Sequence, residues 1–442
     1  MKVRKKKANR EVDFLVSENA EVNIGENVSW VRRIAAAFPA LQNDNYRSYF
    51  LGQFVSLIGT WLQIVAQGWL VLQLTNSAFY IGLVTALSTA PSLLFSLWGG
   101  VIVDRYPKRR ILLYSQSSAM VLGIILGLLT IFDMVSLWSI GLISFLLGTV
   151  NAVDSPARQA FVPEMVTLDE LPSAIALNSS IFNGARVIGP SIAGLLIALV
   201  GTGGAFIING LSHIAVIAAL LYMSVEDKVT DDRPQPLLAI KEGIVYSFSH
   251  PIIRILIIIT GVVSVFGWSY TTIMPLIARE QFQLDAAGLG YLFAASGLGS
   301  LLAAFIIGAY GKRLPPVLFI FGGHLVFAIS LILFSLTSSV YLALPLLFFV
   351  GMGLLSQSAM MNTIIQSMVK NKLRGRVMSI YILMFIGLAP VGSFQIGWVA
   401  EQYGLGFALR LGAICVFLFG LTVFIYRNKI RKAYFKYKEK QI

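Results

Sequence analysis

Cysteine is almost missing from this chain: Cys415 is the single one. That excludes an intramolecular disulfide framework and a cysteine-based metal cluster. Histidine is nearly as scarce, and His213, His250 and His324 are scattered without metal-ligand spacing. No Walker-type phosphate loop and no G-x-S-x-G nucleophile elbow occurs, so the sequence offers no ATPase or hydrolase site of its own. An embedded enzyme such as an acyltransferase would need a His, Ser or Cys constellation that cannot be assembled here. No cofactor and no metal are implied. Charge is thin as well. Charged residues are 12% of the 442 positions, where a soluble protein carries about a quarter.

What the chain has is hydrocarbon. Hydrophobic residues make up 57% of it, and the mean hydropathy is +0.77. A helix crosses ~30 Å of hydrocarbon with ~20 residues, and apolar runs of that length follow one another closely. Spans are expected at 47–74, 78–103, 110–132, 137–161, 172–200, 203–223, 254–277, 286–310, 315–336, 340–368, 376–401 and 407–426. A longer polar interval, 224–251, divides them six and six.

The net charge of +13 does not point to nucleic acid, because the basic residues sit in short loops and tails between apolar runs. That placement fits anionic lipid at a cytoplasmic face. One set of loops carries Arg105, Lys108, Arg109 and Arg110, then Lys312 and Arg313, then Lys370, Lys372, Arg374 and Arg376. The alternate loops carry little that is basic, Arg279 being the main exception. The positive-inside rule therefore sets both termini, the linker and the basic loops in the cytoplasm. The acidic loop 162–171 does not overturn this, since acidic residues count little in the rule. The N-terminal cluster Lys2, Arg4, Lys5, Lys6 and Lys7 precedes no apolar core, so it is expected as a cytosolic tail rather than a signal peptide. Residues 30–41 suit an amphipathic stretch along the membrane surface.

The two halves repeat. Shifted by about 203 positions, Met165-Val166 falls on Met368-Val369, Gly189 on Gly392, Gly194 on Gly397 and Gly201 on Gly404. Two related bundles in one chain imply a site between them near the midplane.

Four constellations stand out. In GGVIVDRYPKRR, Gly100, Asp104, Arg105, Lys108 and Arg109 end span 2 and open a basic loop. They form either a latch between the halves, with Gly100 permitting tight helix approach, or a simple topogenic loop. Asp154 and Arg158 on span 4 are four apart and share a face, with Pro156 bending the helix between them. They read as a gating or coupling pair or as a structural one. Asp154 is the carboxylate well inside the first bundle, where a coupling ion would need one.

Arg186 sits half-way along span 5, among Gly184, Gly189, Pro190 and Gly194. A mid-span arginine must meet a carboxylate, carbonyls, water or an anionic substrate, whereas the glycines also suit ordinary helix packing. On span 1, Gln53, Ser56, Thr60, Gln63 and Gln67 step by three and four and share one face. That face lines a cavity or glues helices together. Span 2 carries Thr85, Ser88, Ser92 and Ser96, span 7 Ser264, Trp268 and Thr271, and span 10 Gln357, Asn362 and Gln366.

GGVIVDRYPKRR resembles the motif between helices 2 and 3 of the major facilitator superfamily, departing from it at Pro107, where that motif usually has glycine. ARVIGPSIAG resembles the Gly-Pro motif on helix 5 of that superfamily's proton-driven antiporters, which implies export. NYRSYFLGQFVSLIGTWLQ, DSPARQAFVPEMV, ARVIGPSIAG and KLRGRVMSIY together resemble the bacterial transmembrane secretion effectors, a subgroup similar to the enterobactin exporter and to macrolide efflux proteins. The resemblance runs from Asn45 to Arg427.

The expectation is an all-α membrane protein with twelve transmembrane helices in two pseudo-symmetric six-helix bundles. The bundles occupy 46–224 and 252–427, with a linker at 225–251 and tails at 1–45 and 428–442. It is expected in the bacterial inner membrane as a monomer among lipids, exporting a small amphipathic molecule by alternating access in exchange for protons. The cavity is expected to use the span 1 stripe, Arg186, Ser264, Trp268, Thr271 and Asn362. Gating or coupling is expected at Gly100, Asp104, Arg105, Arg109, Asp154, Arg158, Gly189 and Pro190. Nutrient uptake, lysolipid flipping and a transporter-like receptor or scaffold are the rivals.

Overall fold

The structure, a computed structural model, describes residues 38–223, 236–311, 313–369 and 371–430. The tail and interfacial stretch up to residue 37, Lys312, Lys370 and the tail from 431 lie outside the described residues.

Helices α1 (Asp44–Thr75), α2 (Ala78–Arg105), α3 (Lys108–Ile131) and α4 (Leu137–Met165) come first. Short polar residues start most of them. Asn43 accepts from the amides of Asn45 and Tyr46, and Ser77 and Ser136 cap α2 and α4, supplying acceptors for orphan first-turn amides. A continuous run, Leu171–Tyr222, is 52 residues long. A straight helix of that length would reach about 78 Å. Gly201 breaks it at φ 73°, a conformation that costs glycine nothing. The run is therefore two spans, α5 (171–200) and α6 (202–222).

A linker helix, α7 (Pro236–Ser249), follows. Then come α8 (Pro251–Gln281), α9 (Ala286–Tyr310), α10 (Pro316–Leu336), α11 (Val340–Met368), α12 (Leu373–Tyr403) and α13 (Leu405–Ile425). Eleven described helices are long and apolar enough to span a membrane, and the break at Gly201 makes the spans twelve.

The repeat read from the sequence reappears in the backbone. Gly201 and Gly404 both take positive φ, 73° and 84°, and each turns one span into the next. Gly148 packs against the Ser88 carbonyl in the first bundle, and Gly351 packs against that of Ser296 in the second.

The bundles meet along two seams, α2 on α12 and α5 on α9. In the first, a Cβ on Gly82 would lie 2.8 Å from Gly397 Cα, and one on Gly397 2.8 Å from Gly82 Cα. In the second, a Cβ on Gly194 would lie 2.6 Å from Gly290 Cα. The pairs are repeat-mates: Gly194 and Gly397 share the offset of about 203, while Gly82 and Gly290 stand about 208 apart. Both seams lie toward the helix ends away from the basic loop between α2 and α3. There Glu401 also accepts from Ser77 Oγ at 2.9 Å and from the Phe79 amide at 3.2 Å, tying α12 to the start of α2. Arg279, the exception to the charge pattern, donates to the Leu72 carbonyl at the end of α1, a favourable place for a cation.

On the face carrying the basic loops the halves part, and Ser179, Ser180, Leu301 and Ala304 are exposed. The linker helix joins α12 there through the Arg376–Glu242 ion pair.

Gly194→Ala is expected to wedge its seam and cost about 1–3 kcal/mol by overpacking. Gly184→Ala, whose Cβ meets open space, is expected to be neutral or stabilising by about 0.5–1 kcal/mol. Thermal unfolding of the detergent-solubilised protein checks the contrast. Spin labels at the ends of α5 and α9 should move apart in Gly194→Ala alone.

Candidate functional site

Helix α8 does not run straight through the membrane. It passes from α-helix into a π turn at Val263–Gly267 and a 3-10 turn at Trp268–Thr271, and a second π turn covers Ile277–Gln281. Pro275 lacks the amide that would continue the ladder, and Gly267 weakens it about two turns earlier. Irregular backbone at membrane depth is tolerated where it lines a cavity, and that is what it does here.

Between the bundles lies a cavity of ≈ 590 Å³. The first bundle contributes α1 (Trp61, Ile64, Val65, Gly68), Thr85 of α2, and α5 (Ser179, Ser180, Arg186, Val187, Pro190). The second contributes α8 (Trp268, Tyr270, Thr271, Thr272), α9 (Phe293, Ser296) and α11 (Gly351, Leu354). Arg186, Trp268, Thr271 and Pro190 are thus in its wall. The guanidinium carbon of Arg186 lies 3.5 Å from the centroid of the Trp268 ring, a cation–π contact from one bundle to the other. Trp268 in turn meets Phe385 edge-on. Gly189 makes room for Trp61: a Cβ there would lie 3.0 Å from Trp61 Cγ.

Several expected residues lie elsewhere. The span 1 stripe does not line the cavity. Gln53, Ser56, Gln63 and Gln67 are buried, and the stripe faces α6, where Gly52 meets the Ala215 carbonyl and Gly59 meets Asn209. Ser56 bonds His213 Nδ1 at 3.2 Å, Gln63 bonds Asn209, and Thr60 bonds its own helix at the Ser56 carbonyl. Ser56 and Gln63 are interhelical glue, while the buried Gln53 amide has no hydrogen-bond partner. The wall of the cavity is the neighbouring, more apolar face carrying Trp61. Ser264 is also misplaced by helical spacing: the π turn rotates it away from Trp268, and it donates to the Phe385 carbonyl at 2.6 Å. Asn362 lies further along α11, toward the face of the basic loops, and accepts from Gln366 of the same helix at 2.5 Å.

The first bundle holds a polar core of its own. Arg158 Nε lies 2.7 Å from Asp154 Oδ2. The other oxygen, Oδ1, accepts from Ser115 Oγ at 2.6 Å and Gln116 Nε2 at 2.8 Å. Gln116 Oε1 lies 2.7 Å from His213 Nδ1. An ionised carboxylate only accepts, which orients the Gln116 amide and leaves its oxygen to take the His213 proton. One polar chain therefore links α4, α3, α6 and α1. Sequence reading missed Gln116, Asn209 and His213 as partners. A lone polar residue on an apolar helix carried no signal until its neighbours were known.

The family model for the transmembrane secretion effectors matches residues 35–438. The chain belongs to the transmembrane secretion effector family. It is similar to the staphyloferrin A transporter of Staphylococcus aureus, 28% identical over 87% of this chain and 96% of that one. It is likewise similar to an enterobactin exporter of Escherichia coli, 23% identical over 84% and 91%. Among solved structures it resembles a POT family transporter in complex with 5-aminolevulinic acid, with a TM-score of 0.71 and 13% identity over 87% of this chain and 96% of that one. It also resembles an inward-facing bacterial homologue of the lysosomal transporter Spinster, with a TM-score of 0.65 and 14% identity over 89% and 97%. The fold is that of the major facilitators, and this secretion effector is a multi-pass membrane transporter of small molecules rather than an enzyme.

The loop that carries the superfamily motif is open in this secretion effector. Asp104 and Arg105 are exposed, and among the described residues neither joins the halves. Arg109 is not part of a latch here: it donates to the Leu220 and Leu221 carbonyls at 2.7 and 3.0 Å, capping the end of α6. Lys108 pairs with Glu164 at 2.8 Å within the same bundle. The close helix approach assigned to Gly100 belongs to Gly99, whose Cβ would lie 3.3 Å from Val153 Cα; at Gly100 there is open space.

Asp154→Asn leaves Arg158, which keeps 21% of its side-chain surface exposed, without its anion. The substitution is expected to cost about 1.5–3 kcal/mol, and Asp154→Asn with Arg158→Met to recover part of it. Thermal unfolding of the two variants in matched detergent checks this.

Proposed function

We propose that the protein exports a small amphipathic organic molecule across the bacterial inner membrane by alternating access, driven by inward proton flow. One observation carries the reading: the cavity between the bundles is sealed by both glycine seams on one face and opens on the other. The positive-inside pattern makes the open face cytoplasmic, and a cavity open to the cytoplasm is the loading state of an exporter. The names of the relatives favour a siderophore-like cargo. The aromatic wall suits the body of such a molecule. The protein works as a monomer among anionic lipids.

In the opposite access state, the halves close on the basic face, and the exposed Asp104 and Arg105 are then available to latch α2 against the second bundle. Coupling is assigned to Asp154. Ionised, it holds Arg158, Ser115 and Gln116 at once. A proton on it removes the charge that Arg158 answers and turns one oxygen into a donor. That loosens α4 from α3 and, through Gln116 and His213, α3 from α6. No phosphate loop competes with this source of energy.

Reconstitution into proteoliposomes tests it. With an imposed pH gradient, a siderophore-like carboxylate or catecholate is expected to move against the proton flux, and Asp154→Asn to abolish coupled movement. If no candidate moves and none changes lumenal pH, proton antiport is wrong. Metabolite profiles of a deletion strain fix direction: export predicts intracellular accumulation of the cargo, uptake its depletion.

A further inference from the structure

Arg186 has a requirement that the protein leaves unmet. It lies half-way through the membrane in the wall of the central cavity. Among the described residues lining that cavity it is the one charged side chain, and no Asp, Glu or His joins it. No carboxylate lies within ion-pair distance of it among the described residues. What covers it is the face of Trp268, a weak substitute for an anion in a low-dielectric site. Trp268 carries the complementary defect: its indole Nε1–H is buried without an acceptor. A guanidinium lacking an anion and an indole lacking an acceptor stand side by side.

One ligand group answers both. A carboxylate presents two oxygens to the planar guanidinium fork and has lone pairs left for the indole N–H once the ring swings off the cation. Next to this pair, Thr271 and Ser296 offer hydroxyls, and Phe293 and Leu354 offer apolar surface. We infer that the cargo of this site is a carboxylate-bearing amphiphile, recognised by Arg186 in exchange for Trp268. This rests on the transport reading of the cavity and narrows it. A cationic amphiphile meets a like charge and no acid, so such drugs are excluded. The exchange also has a mechanical consequence. Arg186 belongs to α5 and Trp268 to α8, so the arriving carboxylate replaces a contact between the bundles with one to the cargo.

The test measures binding alone, so it fails or succeeds independently of the proteoliposome assay. Full-length protein in nanodiscs is titrated with three fluorescent probes on one scaffold: N-dansyl-6-aminohexanoate, its methyl ester and dansylcadaverine, each against empty nanodiscs. The carboxylate is expected to bind about tenfold more tightly than the ammonium probe, the scale of a charge-assisted hydrogen bond. In Arg186→Gln the ratio is expected to fall to about one, and Arg186→Lys to keep part of it because the charge stays and the fork is lost. Trp268→Phe keeps an aromatic face on the cation and removes the N–H, and is expected to weaken carboxylate binding severalfold and leave the ammonium probe unchanged. That variant carries the test if Arg186→Gln does not fold. Equal or tighter binding of the ammonium probe, no saturable binding of the carboxylate, or a preference that survives Arg186→Gln overturns the assignment. Trp268→Phe with unchanged or tighter carboxylate binding does the same.

Discussion

Two backbone-to-backbone seams, Gly82 on Gly397 and Gly194 on Gly290, organise everything else in this molecule. Lipid is as apolar as leucine, so burying apolar surface does not drive two membrane helices together. Van der Waals contact does, and it is largest where both helices lack a side chain. Four glycines meet that condition in two pairs related by the internal repeat. They close one face of the transporter, and because they leave the other face without such pairs, the cavity has one opening. Glu401 and Arg279 reinforce the closed side with bonds to helix ends. Their energies are modest beside the packing.

The polar residues of the interior divide by what the membrane charges for them. Six in the first bundle find each other. Asp154, Arg158, Ser115, Gln116, His213 and Ser56 form one polar chain. Satisfied, such a network ties four helices into a unit able to move as one body. Arg186 is different. It faces the space between the bundles, and its partner belongs to the other bundle. A charge left incompletely answered at the centre of a membrane marks a place where something else is meant to bind. The broken backbone of α8 follows the same logic, since it brings Trp268 to the cavity wall at the cost of regular helix bonds that a lipid-facing segment needs.

Much of the architecture was legible in the chain. Hydrophobic run length counted the spans, and the glycine matches announced the repeat before any contact was known. Arg186 stood out because a mid-span arginine has few affordable surroundings. The span 1 stripe was read less well. Gln53, Ser56, Gln63 and Gln67 do share one face, as their spacing requires, but periodicity says only that a polar face avoids lipid. It does not say whether protein or water covers it, and here α6 does. Ser264 was assigned by regular spacing along a helix that is not regular, and Gly99 rather than its neighbour makes the close approach to α4.

The sequence by itself determined the class of the protein, its twelve spans, its two related halves and the basic face, because these follow from hydrocarbon thickness, backbone hydrogen bonding and the placement of charge along the chain. Only the tertiary structure decided which face of each helix meets lipid, another helix or the cavity. That choice depends on the rotation and breaks of helices packed against one another. A helix period records which residues travel together, and the neighbour they travel towards is fixed in three dimensions.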